Sequence, residues 1–206
     1  MSAKRQRSES DAVRATKRQK PLKTPVKIDG LQVIYGFVTP DQEEALLDEI
    51  DASERSNELS RRVQHYGYRY NYRKRQVTKD DYLGPLPEWS QLEFDETIVK
   101  EPFDQMIVNE YMPGQGIGAH VDCIPCFDDT VVSLSLGSHC VMRFTKVGES
   151  HEVYLPARSL VVLKGDARYK WKHEIQRRTE DPHPLKPERM LKRSRRVSIT
   201  YRKVLL

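Results

Sequence analysis

The spacing of apolar residues changes character along this chain. "GLQVIYGFV" (30–38) is a short apolar run and predicts a first strand. "TPDQEEALLDEI" (39–50) then switches to helical spacing. Thr39 is placed to cap, Pro40 suits the first helical position and acids follow in the first turn. Ala45, Leu46, Leu47 and Ile50 supply its apolar face. "HYGYRYNYRKR" (65–75) alternates, with Tyr66, Tyr68, Tyr70 and Tyr72 at every second position. In one continuous strand the four rings would share a face, opposite Arg69 and Arg73. "LGPLPEW" (83–89) interrupts the pattern as a loop. After Phe103 come short strand-like runs: "QMIVNEYM", "TVVSLSLG", "HCVMRFTK", "HEVYLPARSLVVLKG" and "RRVSITYRKVL". Gly, Pro and Asp turns separate them. "EDPHPLKPERMLKR" (180–193), Pro-rich and basic, reads as a loop before the last strand. The predicted class is mainly β with supporting helices, a sandwich or jelly roll.

Composition changes the picture at the N-terminus. Of 206 residues, 37% are hydrophobic and 32% charged, and the net charge is +5. Residues 1–28 hold nine Lys or Arg against Glu9 and Asp11, so they carry +7 and the remainder about −2. The basicity therefore belongs to the tail. Residues 1–26 are expected to be a disordered basic tail. Two basic clusters within 4–20 match a bipartite nuclear signal, which predicts a nuclear and/or cytoplasmic protein. No apolar run is long enough to span a bilayer, so no membrane partner is expected. Three cysteines predict a reducing compartment rather than a disulfide framework. "CIPC" (123–126) lacks the βαβ context of a redox motif. It reads as loop residues prone to oxidation, with structural zinc, helped by His139 and Cys140, a weaker alternative.

The chemistry concentrates in "NEYMPGQGIGAHVDC" (109–123). His120 and Asp122 are two apart, so on a strand an imidazole and a carboxylate reach one ion. A further histidine, from His65, His139, His151, His173 and His183, would complete two histidines and one carboxylate. That set leaves positions on Fe(II) open for a co-substrate and oxygen. His173 lies in "RYKWKHEI", and Arg196 and Arg202, six apart near the C-terminus, would share a strand face. Arg suits a carboxylate through its bidentate fork. Arg193 and Arg195 read as basic surface. The tyrosine stripe is either a half-buried strand or a platform for stacking bases.

Together these residues resemble the AlkB family of Fe(II)/2-oxoglutarate dioxygenases. Asn109-Glu110-Tyr111, His120-Val121-Asp122, His173, and Arg196 with Arg202 match its motifs in order. "RRVQHYGYRYNY", "PGQGIGAHVD" and "LPARSLVVLKGDARYKWKHEI" are most similar to the branch containing AlkB homologue eight, which hydroxylates a modified tRNA wobble uridine. The resemblance implies a double-stranded β-helix over 27–206, with a nucleotide-recognition lid at about 58–90. It implies Fe(II) on His120, Asp122 and His173, with 2-oxoglutarate and O2 as co-substrates. Asn109, Tyr111 and Arg196 would hold 2-oxoglutarate, and Arg202 would sit beside it or the metal-bound carboxylate. Ser198 replaces an Asn of other members. Leu134 and Leu136 would face the core, and Trp171 would support His173. Substrate contacts would come from Arg62, Tyr66, Tyr68, Tyr70 and Arg69. Arg61, Arg73, Lys74 and Arg75 would join at phosphates. The expected partner is nucleic acid, tRNA favoured over DNA. Homologue eight also carries RNA-recognition and methyltransferase domains, so a separate protein supplying either is expected. Repair of alkylated DNA or RNA by demethylation, and a non-catalytic nucleic-acid-binding module, are the competing functions.

Overall fold

The computed structural model describes residues 26–54 and 61–206. The tail through residue 25, where a nuclear signal is expected, and residues 55–60, at the start of the expected lid, lie outside the described residues. In chain order the elements are β1 (Leu31–Ile34), α1 (Pro40–Ala52), β2 (Arg62–Tyr66), β3 (Gln105–Tyr111), β4 (Ile117–His120), β5 (Phe127–Gly137) and β6 (Cys140–Lys146). They continue with β7 (Glu149–Leu155), β8 (Ser159–Leu163), α2 (Gly165–Tyr169), β9 (Lys172–Ile175), β10 (Glu180–His183), β11 (Lys186–Lys192) and β12 (Arg196–Val204). No helix among the described residues is long and apolar enough to cross a membrane.

A six-stranded sheet in the order β1-β8-β5-β12-β3-β2 and a four-stranded sheet, β4-β9-β6-β7, form the sandwich expected of a jelly roll. The strand period of two divides the large sheet into two faces. Val132, Leu134, Leu136, Val197, Ile199 and Tyr201 join one core cluster with Leu46 and Ile50 of α1. Leu134 and Leu136 are fully buried. Val131, Val161 and Leu163 join a second cluster with Met142, Phe144 and Ile175 from the small sheet. Most of the remaining positions of that second face in β12 and β5 are polar, with Ile107 and Val63 the apolar exceptions alongside. Ser198 pairs across the strands with Asn109 and Ser135, and Arg196 with Tyr111 and Gly137. One end of the interior is hydrocarbon, and the other carries the site.

Helix α1 starts as expected. Thr39 Oγ1 accepts from the Gln42 N–H and the Thr39 N–H donates to Gln42 Oε1, a reciprocal cap. Its inner stripe differs, because Ala45 is exposed and Glu43 is buried. Positions 43, 46 and 50 are three and four apart and face inward together, whereas 45 lies off that stripe. The Glu43 carboxylate accepts from the Gly137 N–H at 2.7 Å and from Arg158 at 2.6 Å, so its charge is compensated.

The tyrosine stripe is not one strand. β2 ends at Tyr66, and Gly67 takes φ +73 with its α-carbon against the Asp104 carbonyl, where a Cβ would come within 1.8 Å of the oxygen. Only glycine fits such a turn, and beyond it the alternation restarts in a different frame. The 180–193 segment is a correction as well, because it forms the β10–β11 hairpin instead of a loop. Arg193 and Arg195 are not free surface. Arg193 bonds both oxygens of the fully buried Asp181, and Arg195 bonds Asp51 and Glu110. Cys123 and Cys126, expected as oxidation-prone loop residues in a reducing compartment, are joined as a disulfide, while Cys140 is free and buried. They stand three residues apart in the tight turn after Asp122, which brings the α-carbons within 5.3 Å.

Candidate active site

Two adjacent strands of the small sheet build the candidate metal-ligand set. β4 pairs with β9 so that His120 stands opposite His173, with the rings 4.4 Å apart. Asp122 follows just past the end of β4 and brings Oδ2 to 3.5 Å from His173 Nε2. Ligand atoms of His120, Asp122 and His173 all lie within 4.8 Å of one another. The His120 Nδ1 lies 2.8 Å from the Gly118 carbonyl. With the proton there, Nε2 is left as the ligand atom.

Electrostatics hold this set in its ligating form. Burial alone would raise the Asp122 pKa, but Arg202, then His173, His120 and Arg168, outweigh it and hold the carboxyl well below the usual carboxylate range. Burial pushes the His173 imidazole down to about 4 against the opposing pull of Asp122. An ionised carboxylate and a neutral imidazole are the forms that bind a cation. Arg202 clamps Asp122 Oδ1 from Nε at 3.0 Å and Nη2 at 2.7 Å, and its Nη1 donates to Gln105 at 3.1 Å. Phe144 is the aromatic ring next to His173, at 6.1 Å. Trp171, expected to support His173, packs by His151 and Lys146 and shares a core cluster with Phe144.

Arg196 is almost fully buried and its Nη2 donates to Ser135 Oγ at 2.7 Å. Its Nε and Nη1 are buried without a partner. A buried guanidinium with two unspent donors fits a carboxylate, because leaving it unmatched is costly. Tyr111 lies beneath it, 5.6 Å from ring centroid to the guanidinium. Burial raises the Tyr111 pKa, so its phenol keeps its proton. Ser198 exchanges a hydrogen bond with Ser133 at 2.9 Å. The donor set therefore fits Fe(II), and the Arg196 end of the interior fits a dicarboxylate.

A cavity of about 360 Å³ opens over His120 and Asp122, with Asn109 and Arg202 in its wall and Arg61, Tyr70, Tyr72, Arg75 and Phe127 around it. Of the tyrosines and arginines expected at substrate, only Tyr70, Arg61 and Arg75 reach this cavity, and Tyr72 is an addition. Strand alternation explains the difference. In β2, Val63 pairs with Asn109 and His65 with Ile107, so odd positions face the site. Arg62 and Tyr66 are on the opposite face, Arg62 3.6 Å from Glu110 and Tyr66 edge-on to Trp89 at 5.6 Å. Tyr68 pairs with Tyr82 at 5.0 Å. Arg69 is exposed beyond Gly67 and, with Arg73 and Lys74, does not line the cavity.

Arg168 was missed, since nothing in "GDARYKW" marks it. It is 1% exposed, and its guanidinium donates to the carbonyls of Asp122, Cys123, Phe127 and Asp128 at 3.0 to 3.3 Å. It ties down the loop that carries Asp122. Replacing it with Met is expected to cost about 3 kcal/mol or more, since several buried carbonyls lose their donor. Metal affinity should fall about 10- to 100-fold. Thermal unfolding and a Co(II) titration check both; an unchanged metal affinity would mean the loop holds without it.

Comparisons with known proteins agree with this geometry. A family profile described as the 2OG-Fe(II) oxygenase superfamily matches residues 39–202. Uncharacterized protein L905 of Acanthamoeba polyphaga mimivirus is 37% identical over 196 residues, 89% of each chain. The tRNA (carboxymethyluridine(34)-5-O)-methyltransferase alkbh8 of Xenopus tropicalis is 37% identical over 208 residues. That match covers 90% of this chain but 33% of the frog protein, so this chain spans about a third of that relative. The solved structure of OsALKBH1 superposes with a TM-score of 0.62 at 16% identity, covering 87% of this chain and 99% of that one, which supports the fold. The chain belongs to the 2OG-Fe(II) oxygenase superfamily: it is an AlkB-family, 2-oxoglutarate-dependent dioxygenase whose chemistry uses Fe(II), 2-oxoglutarate and O2.

Proposed function

We propose that this dioxygenase oxidises a carbon substituent of a modified nucleobase, with tRNA favoured over DNA. The observation that carries the reading is the cavity over His120 and Asp122, edged by Tyr70, Tyr72 and Phe127 and by the cations Arg61 and Arg75. Its volume, about 360 Å³, suits one extruded base. Aromatic faces stack on bases without regard to sequence, and the exposed cation Arg75 is free to meet a phosphate. The frog relative's name, which specifies a tRNA uridine, supports the choice of tRNA.

The chain's own residues divide the work. His120, Asp122 and His173 would hold Fe(II), and Arg202 keeps Asp122 ionised and oriented. Arg196 would receive the distal carboxylate of 2-oxoglutarate, with Asn109 and Tyr111 beside it. Tyr70 and Tyr72, edge to face at 5.0 Å, would hold the base over the metal. Bound Fe(II), 2-oxoglutarate and O2 together supply insertion of one oxygen into a substrate C–H bond, with 2-oxoglutarate leaving as succinate and CO2. On an N-methyl carbon the product falls apart to formaldehyde and the bare base. On a carbon-bound substituent the alcohol persists.

Tyr72→Ala is expected to raise the KM for nucleic acid roughly 5- to 150-fold, as loss of one stacked base costs about 1–3 kcal/mol. Succinate formation without nucleic acid should be spared. Tyr66→Ala should instead destabilise the fold by about 2 kcal/mol and leave that KM alone. The reverse pattern would return the base platform to Tyr66.

The reading as a whole is tested by succinate release with total tRNA, alkylated single-stranded DNA or neither, with mass spectrometry of the digested nucleosides. Stimulation by tRNA with one added oxygen on a uridine derivative is the expected result. Stimulation by alkylated DNA with formaldehyde release would make the chain a repair demethylase. Succinate without stimulation by either would move the substrate outside nucleic acid.

A further inference from the structure

Arg61 does not behave as a phosphate contact. Its Nε donates to Asn109 Oδ1 at 2.7 Å. Its guanidinium also lies over the Tyr111 ring, 5.8 Å from the centroid. It enters from just before β2, on the odd, site-facing frame, whereas its neighbour Arg62 turns to the opposite face and Glu110. Tyr111 is therefore approached by two guanidinium groups, Arg61 from the lid segment and Arg196 from β12.

This contact has a chemical consequence for Asn109. An arginine can only donate, so the carboxamide must present its oxygen to Arg61. The Nδ2 donor is then committed to the other side of the amide, where it can meet only an acceptor. A carboxylate is such a group. With Arg61 removed, the amide can turn over and present oxygen to the carboxylate, which repels it.

We infer that Arg61 is a positioning residue that joins the two ligand sites: it fixes the Asn109 carboxamide as a donor toward 2-oxoglutarate and packs on Tyr111, so that docking of the lid and binding of the co-substrate favour each other. The inference rests on the proposed placement of 2-oxoglutarate beside Asn109 and Tyr111. Arg61 also lines the substrate cavity, so the coupling is reciprocal by thermodynamic necessity.

The test uses the full chain with Mn(II) in place of Fe(II), and N-oxalylglycine as an inert stand-in for 2-oxoglutarate. Calorimetry measures its affinity with and without total tRNA, for the parent and for Arg61→Ala, Arg61→Lys, Arg62→Ala and Asn109→Ala. In the parent, tRNA should tighten N-oxalylglycine binding. Arg61→Ala should weaken it about tenfold, as expected for a lost charge-assisted hydrogen bond, and remove the effect of tRNA. Arg61→Lys keeps a donor and a cation and should recover part of both. Arg62→Ala should change neither. In an Asn109→Ala background, Arg61→Ala should have almost no further effect. Additive losses in that double variant would overturn the inference. So would an Arg61→Ala protein that loses tRNA affinity but binds N-oxalylglycine as the parent does, since Arg61 would then be a phosphate contact. If the parent itself fails to bind N-oxalylglycine, the placement of the co-substrate fails first and takes the inference with it.

Discussion

Exchange of Asp122 for alanine is expected to remove turnover and to destabilise the fold, whereas exchange of His120 removes turnover alone. Both supply ligand atoms to the same cluster, so each substitution should lower succinate formation by at least about three orders of magnitude, some 4 kcal/mol of lost stabilisation. Their structural duties differ. Asp122 is buried and neutralises Arg202 through two hydrogen bonds, with His173 3.5 Å from its other oxygen. Without it the Arg202 guanidinium stays buried with only Gln105 as a polar partner and Phe127 beneath it. Breaking one side of a buried pair costs about 3–5 kcal/mol, a large share of the roughly 5–15 kcal/mol that holds a domain together. His120 is half-buried and its polar contact is the Gly118 carbonyl, so its loss should cost about 1 kcal/mol. Urea unfolding of the metal-free proteins separates the two, and Fe(II) should raise the melting temperature of the parent but not of His120→Ala. Equal stability of both variants would mean that Asp122 and Arg202 do not act as a pair.

Arg196→Met is expected to gain stability while losing 2-oxoglutarate. In the free protein, Arg196 carries a charge inside the sheet with Nε and Nη1 unpartnered, a cost that an apolar side chain of similar length avoids. Binding of a carboxylate should convert that cost into affinity. Removing a buried charged partner typically loses about 2–5 kcal/mol of binding, roughly 30- to several thousand-fold. Apparent affinity for 2-oxoglutarate should fall by that factor while the unfolding midpoint of the free protein rises. Arg193→Ala is the contrast. It breaks a pair with Asp181, which is fully buried, so it should lose about 3–5 kcal/mol of stability and leave 2-oxoglutarate affinity near the parent value. Similar losses of affinity in both variants would place the carboxylate anchor elsewhere.

Much of this protein is written in local patterns. The cap at Thr39 and Pro40 depends only on residues within one helical turn, and the structure keeps it. β3, β5, β6, β7, β8 and β12 follow apolar runs bounded by turn residues, and the jelly-roll class follows from their number. His120 and Asp122, two apart, and Arg196 and Arg202, six apart, carry their geometry in their spacing, because a strand repeats every two residues. His173 needed the family pattern to be chosen among five histidines, and the structure supplies the reason: β9 lies beside β4 and sets it opposite His120.

Other features depended on which face meets which neighbour. A strand has two faces, and sequence alone does not say that β2 offers its odd positions to the site, so Arg62 and Tyr66, expected at substrate, face away from it. The tyrosine alternation ran on through residue 72, but Gly67 ends the strand because the Asp104 backbone leaves no room for a side chain. Arg168 and Glu43 are charges whose burial is tolerated only because distant carbonyls or cations surround them, and no local signal encodes such partners. The sequence by itself pointed to most of the elements and to the candidate ligands His120 and Asp122, since those rest on local periodicity and residue chemistry, while the roles given to His173 and Arg196 came with the family resemblance. The tertiary structure alone decided which side chains face the cavity and how each buried charge is balanced, since those follow from contacts between residues far apart in the chain.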